Sequence, residues 1–307
     1  MFVFAPGAVA ERAAANFTWA GGLAHWAAVD GVPGRNHLLL MPSCLKLCDQ
    51  PGELARFGPP GDALVASATL WHGTYRRGFD VVLPQPFTEV TRALFARQRS
   101  DDRPLLVTFK GTISRGATRQ KLTPWYAGRA IASEWAHDPA RGVVVDVKLK
   151  TASRRSACAA YEPDAAAWPY VDLVARSRFG FAPGGAGPYS FRFHEVLAGG
   201  AIPVVTDDLV LPWDGFGASG ASVRWDECVV RVSHAELYAL RAVLGAVEAA
   251  ADGELARRRA ACARIWSLLT ANHTAVSDPF EAFAHRAFWT EMRARIRAAR
   301  AGRTARS

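Results

Sequence analysis

Of the 307 residues, half are hydrophobic and ten are tryptophan, a composition that excludes intrinsic disorder and suffices for a sizeable core in one large domain or two lobes. The formal charge is +9, which favours anionic partners such as nucleotide sugars, acidic polysaccharides, nucleic acid or anionic membranes, although the arginine-rich, alanine-rich bias of a GC-rich genome yields the same excess with no binding role. No apolar run approaches the roughly 20 residues of a membrane span, and Met1 to Ala15 has neither the charged start nor the length of a secretory signal, so the chain reads as soluble.

In chain order, Asn36-His37 precedes a short apolar strand, Leu38 to Met41, and the Pro/Gly-rich segment Pro51 to Gly61 is a loop. A second strand covers Val81 to Leu83, with Asp80 placed to bind backbone N–H groups and order a turn. A helix over Glu89 to Gln98 runs into the polar stretch Arg99 to Pro104, which reads as a boundary. It divides the chain into an N-terminal lobe, 1–102, a second lobe, 103–277, and a C-terminal helix with a basic tail, 278–307. Leu105 to Phe109 and Val143 to Lys148 read as strands, as do Phe179 to Ala182, Ile202 to Thr206 and Cys228 to Val232. Strands alternating with helices imply parallel α/β layers. Leu237, Leu240, Leu244 and Val247 form one helical stripe, and Asp278-Pro279 opens a helix carrying Phe280, Phe283, Phe288 and Met292. The tail from Arg293 to Arg306 reads as a solvated helix end rather than a nucleic-acid arm, and no recognised nucleic-acid module is present.

The five cysteines, Cys44, Cys48, Cys158, Cys228 and Cys262, leave at least one outside any disulfide. Cys44 and Cys48 are separated by three residues rather than two, with no histidine pair following, which does not favour zinc. The sequons at Asn16 and Asn272 are glycosylated only in a secretory lumen.

Chemistry concentrates at three places. Phe109-Lys110-Gly111 ends a strand where the chain turns, so that Lys110, Arg115 and Arg119 can face phosphate oxygens; an ordinary basic loop has the same composition. Phe179 to Asp208 is the second: a strand, a loop broken by Pro183, Gly184, Gly185, Gly187 and Pro188, a short helix, and a buried strand. Ser190 is placed to cap that helix, and Gly199-Gly200 to end it. Its first-turn N–H groups and Arg192 suit a diphosphate, and Glu195 suits two ribose hydroxyls. The plain alternative is a surface i,i+3 ion pair between Arg192 and Glu195, worth roughly 0.2–0.5 kcal/mol. The third is His37, whose imidazole can accept a proton from an attacking hydroxyl, though a lone histidine there is more often structural.

The order Ser190-Phe-Arg192-Phe-His-Glu195, then Gly200-Ala-Ile202-Pro203-Val204, then Leu211-Pro212-Trp213 and Trp225 resembles the exostosin-type glycosyltransferases of family 47. Gly34-Arg35-Asn36-His37-Leu38, Phe79 to Pro84, and Phe109-Lys110-Gly111 with Arg119-Gln-Lys-Leu122 agree in the same order, so the resemblance covers Gly34 to Leu244. The chain departs from the family in having Gly180 and Ala201 where cysteines are common, and Arg231 to His234 where many members carry an acid. The family's N-terminal strand is not visible in the Ala-rich start, which implies a shortened first lobe.

The resemblance implies two Rossmann-like lobes facing a cleft in the GT-B arrangement, and an inverting transfer of a sugar, glucuronic acid being suggested by the Gly-Arg-Asn-His form of the first motif. The donor is a UDP-sugar and the acceptor a glycan or glycoprotein. Lys110, Gly111, Arg119, Ser190, Arg192 and Glu195 are then donor-binding and His37 the base. No Asp-x-Asp triplet occurs, so neither metal nor another cofactor is expected. The family also implies a Golgi or endoplasmic-reticulum enzyme, membrane-associated in full-length form, and a homo- or heterodimer with another glycosyltransferase. The alternative is a non-catalytic subunit that binds UDP or glycan and supports a partner transferase.

Overall fold

The computed structural model describes residues 2–4, 38–41, 64–68, 70, 75–77, 79–84, 87–97, 102–113, 128, 131–132, 135, 137–149, 168–184, 190–214, 223–250 and 253–270. Four short strands, β1 (Phe2–Phe4), β2 (Leu38–Met41), β3 (Leu64–Ser67) and β4 (Val81–Val82), form a parallel sheet in chain order. At three residues, β1 is too short for its hydrophobic period to register in the sequence, yet it pairs Phe2 to Phe4 with Leu38 to Leu40. Asp80 fixes the approach to β4. Its Oδ1 accepts from Val65 N–H at 3.1 Å and its Oδ2 from Arg76 N–H at 3.0 Å, the ordering role read for it.

Helix α1 (Glu89–Ala96) follows, capped by Thr88, whose hydroxyl accepts from Thr91 N–H at 3.1 Å. The second sheet contains β5 (Leu105–Ile113), β6 (Val143–Leu149), β7 (Ser177–Phe181), β8 (Ile202–Thr206) and β9 (Val230–Val232), all parallel, in the order β6-β5-β7-β8-β9. Helix α2 (Tyr170–Ala175) leads into β7, and α3 (Arg192–Ala198) joins β7 to β8. After β9 come a 3₁₀ turn at Glu236–Ala239, α4 (Leu240–Ala249) and α5 (Glu254–Thr270). The stripe from Leu237 to Val247 is therefore split between that turn and α4. Two parallel α/β sheets make the chain GT-B-like in architecture. Strand β8 is buried throughout, as a parallel strand covered on both faces should be.

The sheet change falls between α1 and β5, but this segment is no simple polar linker. Arg103 is buried, and its guanidinium donates to Ser177 O at 3.0 Å and Gly199 O at 2.8 Å, tying the start of β5 to the end of α3. One hydrophobic cluster runs from Leu64, Ala66 and Val81 through Phe87 and Leu94 to Phe109, Phe181, Val204 and Trp213. Trp213 is fully buried with φ of 58°, and its N–H donates to Val82 O at 2.8 Å, docking the segment after β8 onto the first sheet. Cys228 and Cys262 form a disulfide between the turn before β9 and α5, a covalent tie at the far edge of the sheet; Cys44, Cys48 and Cys158 lie outside the described residues, as does the expected C-terminal helix.

Candidate active site

In open parallel α/β sheets, ligands bind at the carboxyl ends of the strands. The turn expected at Phe109-Lys110-Gly111 is not formed: these residues lie inside the carboxyl-terminal half of β5, which runs on to Ile113 with Gly111 paired to Val147. Phe109 is buried, and Lys110 lies opposite Asp146 in register with β6. The Lys110 ammonium sits 2.6 Å from Asp146 Oδ2 and donates to Trp168 O at 2.9 Å. It thus serves a buried cross-strand carboxylate, a structural partner in place of the phosphate oxygens expected of it. Gly111 has a different neighbour. A Cβ built on it would lie 2.8 Å from the Phe109 ring and 3.3 Å from Arg192 Nη2, so a side chain here would press first on the ring and crowd the guanidinium beside it.

Arg192 is the first residue of α3. Its guanidinium carbon is 4.8 Å from the Phe109 ring centroid and 5.4 Å from that of Tyr170, a cation held between two aromatic rings. Nη1 donates to the Tyr170 hydroxyl at 3.4 Å. Among the described residues Arg192 makes no ion pair. The i,i+3 pair with Glu195 is not formed, and that plain alternative falls. Glu195, 9% exposed, is bonded elsewhere: Tyr170 OH donates to Oε2 at 2.7 Å and Thr88 Oγ1 to Oε1 at 3.1 Å. The second of these bonds joins the cap of α1 to the site. Burial pushes the Tyr170 phenol up, with Arg192 opposing the shift and Glu195 adding to it, so the hydroxyl keeps its proton.

Ser190 does not cap α3. Its hydroxyl donates to Pro183 O at 3.0 Å, closing the loop after β7 on itself, while Phe191 takes the N-cap position with no side-chain bond. With seven residues α3 is a short helix, and Arg192 is the cationic side chain at its start. The C-terminal reading holds: Gly200 N–H bonds Leu197 O at 3.0 Å and Ala201 N–H bonds Val196 O at 3.1 Å, with Gly200 at φ of 73°, a Schellman ending. His194, between these residues, is buried against Phe87 and its pKa falls to about 3 through burial; it is a neutral core residue. His37, Arg115 and Arg119 lie outside the described residues.

The structure therefore brings Gly111, Arg192 and Glu195 together and adds Phe109, Tyr170 and Thr88, none of which sequence reasoning proposed for the site. Tyr170 follows Trp168-Pro169 at the start of a short helix, and that local pattern carries no chemical signal. Among the described residues no group of three or more His, Cys, Asp or Glu is arranged to hold a metal ion.

Two parallel sheets with a partly buried arginine near their strand ends give an α/β architecture and a candidate anion site; the comparisons with known proteins supply the class, a glycosyltransferase-like protein. The sequence model of the Exostosin GT47 domain matches residues 13–247. The chain belongs to that family. It is similar to the Exostosin-1 homolog of Caenorhabditis elegans, 26% identical over 235 residues that make up 69% of this chain and 55% of the relative. It thus spans about half the length of that curated relative. Among solved structures it is similar to trehalose-6-phosphate from E. coli bound with UDP-2-fluoro glucose, with a TM-score of 0.37 and 11% identity over 80% of this chain and 67% of the other, a likeness too low to bear on the site.

Proposed function

We propose that the chain transfers a sugar, glucuronic acid in the first instance, from a UDP-sugar to a glycan or glycoprotein acceptor with inversion at the anomeric carbon. The acceptor oxygen attacks that carbon as its bond to the UDP oxygen breaks, and His37 takes the hydroxyl proton. Arg192, with Arg119, meets the charge that develops on the leaving diphosphate, and Glu195 accepts from the ribose hydroxyls. The observation that carries this reading is Arg192: a partly buried cation beside Gly111, with no carboxylate paired to it among the described residues. A cation so placed is complementary to an anion, and fixed cations of this kind stabilise a leaving diphosphate without a metal. The Cys228–Cys262 disulfide supports an oxidising, lumenal setting of the Golgi or endoplasmic reticulum, membrane-associated in the full-length protein. A dimer with another glycosyltransferase completes the reading.

A UDP-release screen of nucleotide sugars with oligosaccharide acceptors, with and without chelator, tests it alongside UDP calorimetry of Arg192→Ala. Turnover should survive the chelator, and the variant should bind UDP about ten- to a hundredfold more weakly, since bonds to charged groups are worth roughly 1.5–3 kcal/mol. Activity lost to EDTA and restored by manganese would sink the metal-free mechanism, and unchanged affinity in a folded variant would remove Arg192 from the site. The second reading, a non-catalytic subunit, is favoured by the occupation of both Glu195 oxygens by Thr88 and Tyr170. UDP binding with no transfer to any acceptor would select it.

A further inference from the structure

Arg192 and Glu195 stand three residues apart on α3, the spacing at which opposite charges on a helix ordinarily pair. Tyr170 lies between them. Its hydroxyl gives its one proton to Glu195 Oε2 at 2.7 Å, which leaves only oxygen lone pairs for Arg192 Nη1 at 3.4 Å. An ionised carboxylate is only an acceptor and a guanidinium only a donor, so the direction of both bonds is set. The guanidinium carbon lies over the Phe109 ring at 4.8 Å and over the Tyr170 ring at 5.4 Å, and Thr88 holds the far carboxylate oxygen at 3.1 Å.

We propose that Tyr170 is a positioning residue that keeps Arg192 and Glu195 from pairing with each other, leaving the guanidinium for an anion. The proposal rests on the donor-site reading above. Without the hydroxyl, Arg192 has no other bonding partner on the Tyr170 side among the described residues, and the helix spacing lets it close on Glu195. The cation is then neutralised from within its own helix. Tyr170→Phe keeps the ring and removes only this oxygen.

The test is a calorimetric titration of the full chain with inorganic pyrophosphate, together with a crystal structure of Tyr170→Phe. Pyrophosphate affinity should fall about tenfold in Tyr170→Phe, the scale of one lost charge-assisted bond. In Tyr170→Phe combined with Glu195→Gln it should return to within about twofold of Glu195→Gln alone, because no carboxylate remains to capture Arg192. A purely structural role for Tyr170 would leave the double variant at least as weak as the single one, and that result overturns the proposal. In the crystal, Arg192 should form an ion pair with Glu195; a guanidinium still lying over Phe109 overturns it as well. If the unmodified chain binds neither UDP nor pyrophosphate, the donor-site reading falls, and the crystal structure alone decides what Tyr170 does.

Discussion

At the scale of single residues, Arg192 and Glu195 both bond the Tyr170 hydroxyl and do not pair with each other. Glu195 is a carboxylate with two hydroxyl donors already on it, yet an ionised carboxylate has about four acceptor sites, so a ribose diol can be added to those partners. Glu195→Gln should therefore weaken UDP binding while leaving free pyrophosphate nearly unaffected. Equal losses for both ligands in calorimetry would show that the ribose role is wrong. His194 makes a separate prediction about stability. Burial lowers its pKa from 6.5 to about 3 in the folded protein, whereas the unfolded chain binds the proton at the ordinary value. Between those two values the unfolded state holds more protons, so folding stability falls as pH falls through this window and is fully present above it. By pH 5 the loss should be on the order of 2 kcal/mol. Denaturant titrations of wild type and His194→Gln at neutral and acid pH check it: the variant should lose less stability on acidification, and equal slopes would assign the acid sensitivity to other groups.

Among the elements, α3 decides most. It is buried on nearly every side chain from Phe193 to Ala198, and its Schellman ending turns the chain straight into β8. Its seat on β7 depends on the absence of a side chain at Gly180. A Cβ there would lie 2.5 Å from Val196 Cγ2, which accounts for glycine at a position where the family often has cysteine: Val196 fills the space. Gly180→Ala should accordingly destabilise the fold by about 1–3 kcal/mol, the cost of overpacking a close-packed core, and Val196→Ala should relieve it in the same protein. Urea midpoints of the two single variants and the double variant measure this. Additive losses would mean that the two positions do not share that space. Arg103 binds the Gly199 carbonyl at the other end of the helix, where a cation also complements the last-turn carbonyls. The carboxyl end of α3 is thus held by Arg103.

For the molecule as a whole, two parallel sheets share one hydrophobic cluster, the bond from Trp213 to Val82 ties the segment after β8 to the first sheet, and the bond from Thr88 to Glu195 ties α1 to α3. The proposed transfer needs a base for the acceptor hydroxyl. If His37 is that base, His37→Ala should lower turnover by roughly a hundred- to ten-thousandfold and leave UDP affinity intact; a folded variant with near-normal turnover would place the base elsewhere. Much of this was legible in the sequence. Apolar runs located β2, β5 and β6, and β8 most plainly because a strand buried on both faces must be apolar along its length, and the Ser190-to-Trp213 string carried the family. Short elements such as β1 and α2 hold too few residues for a hydrophobic period to show. The residue types at the site, Gly111, Arg192 and Glu195, were likewise readable, since their spacing is local and their chemistry is intrinsic. Their partners were not. Thr88 lies 107 residues from Glu195 and Tyr170 lies 22 from Arg192, separations that helical or strand period says nothing about. Whether Arg192 pairs with Glu195 or stands clear of it, and whether Lys110 faces an anion or Asp146, depends on which side chains lie within about 3 Å in space, and only the tertiary packing of β5, α2 and α3 decides that.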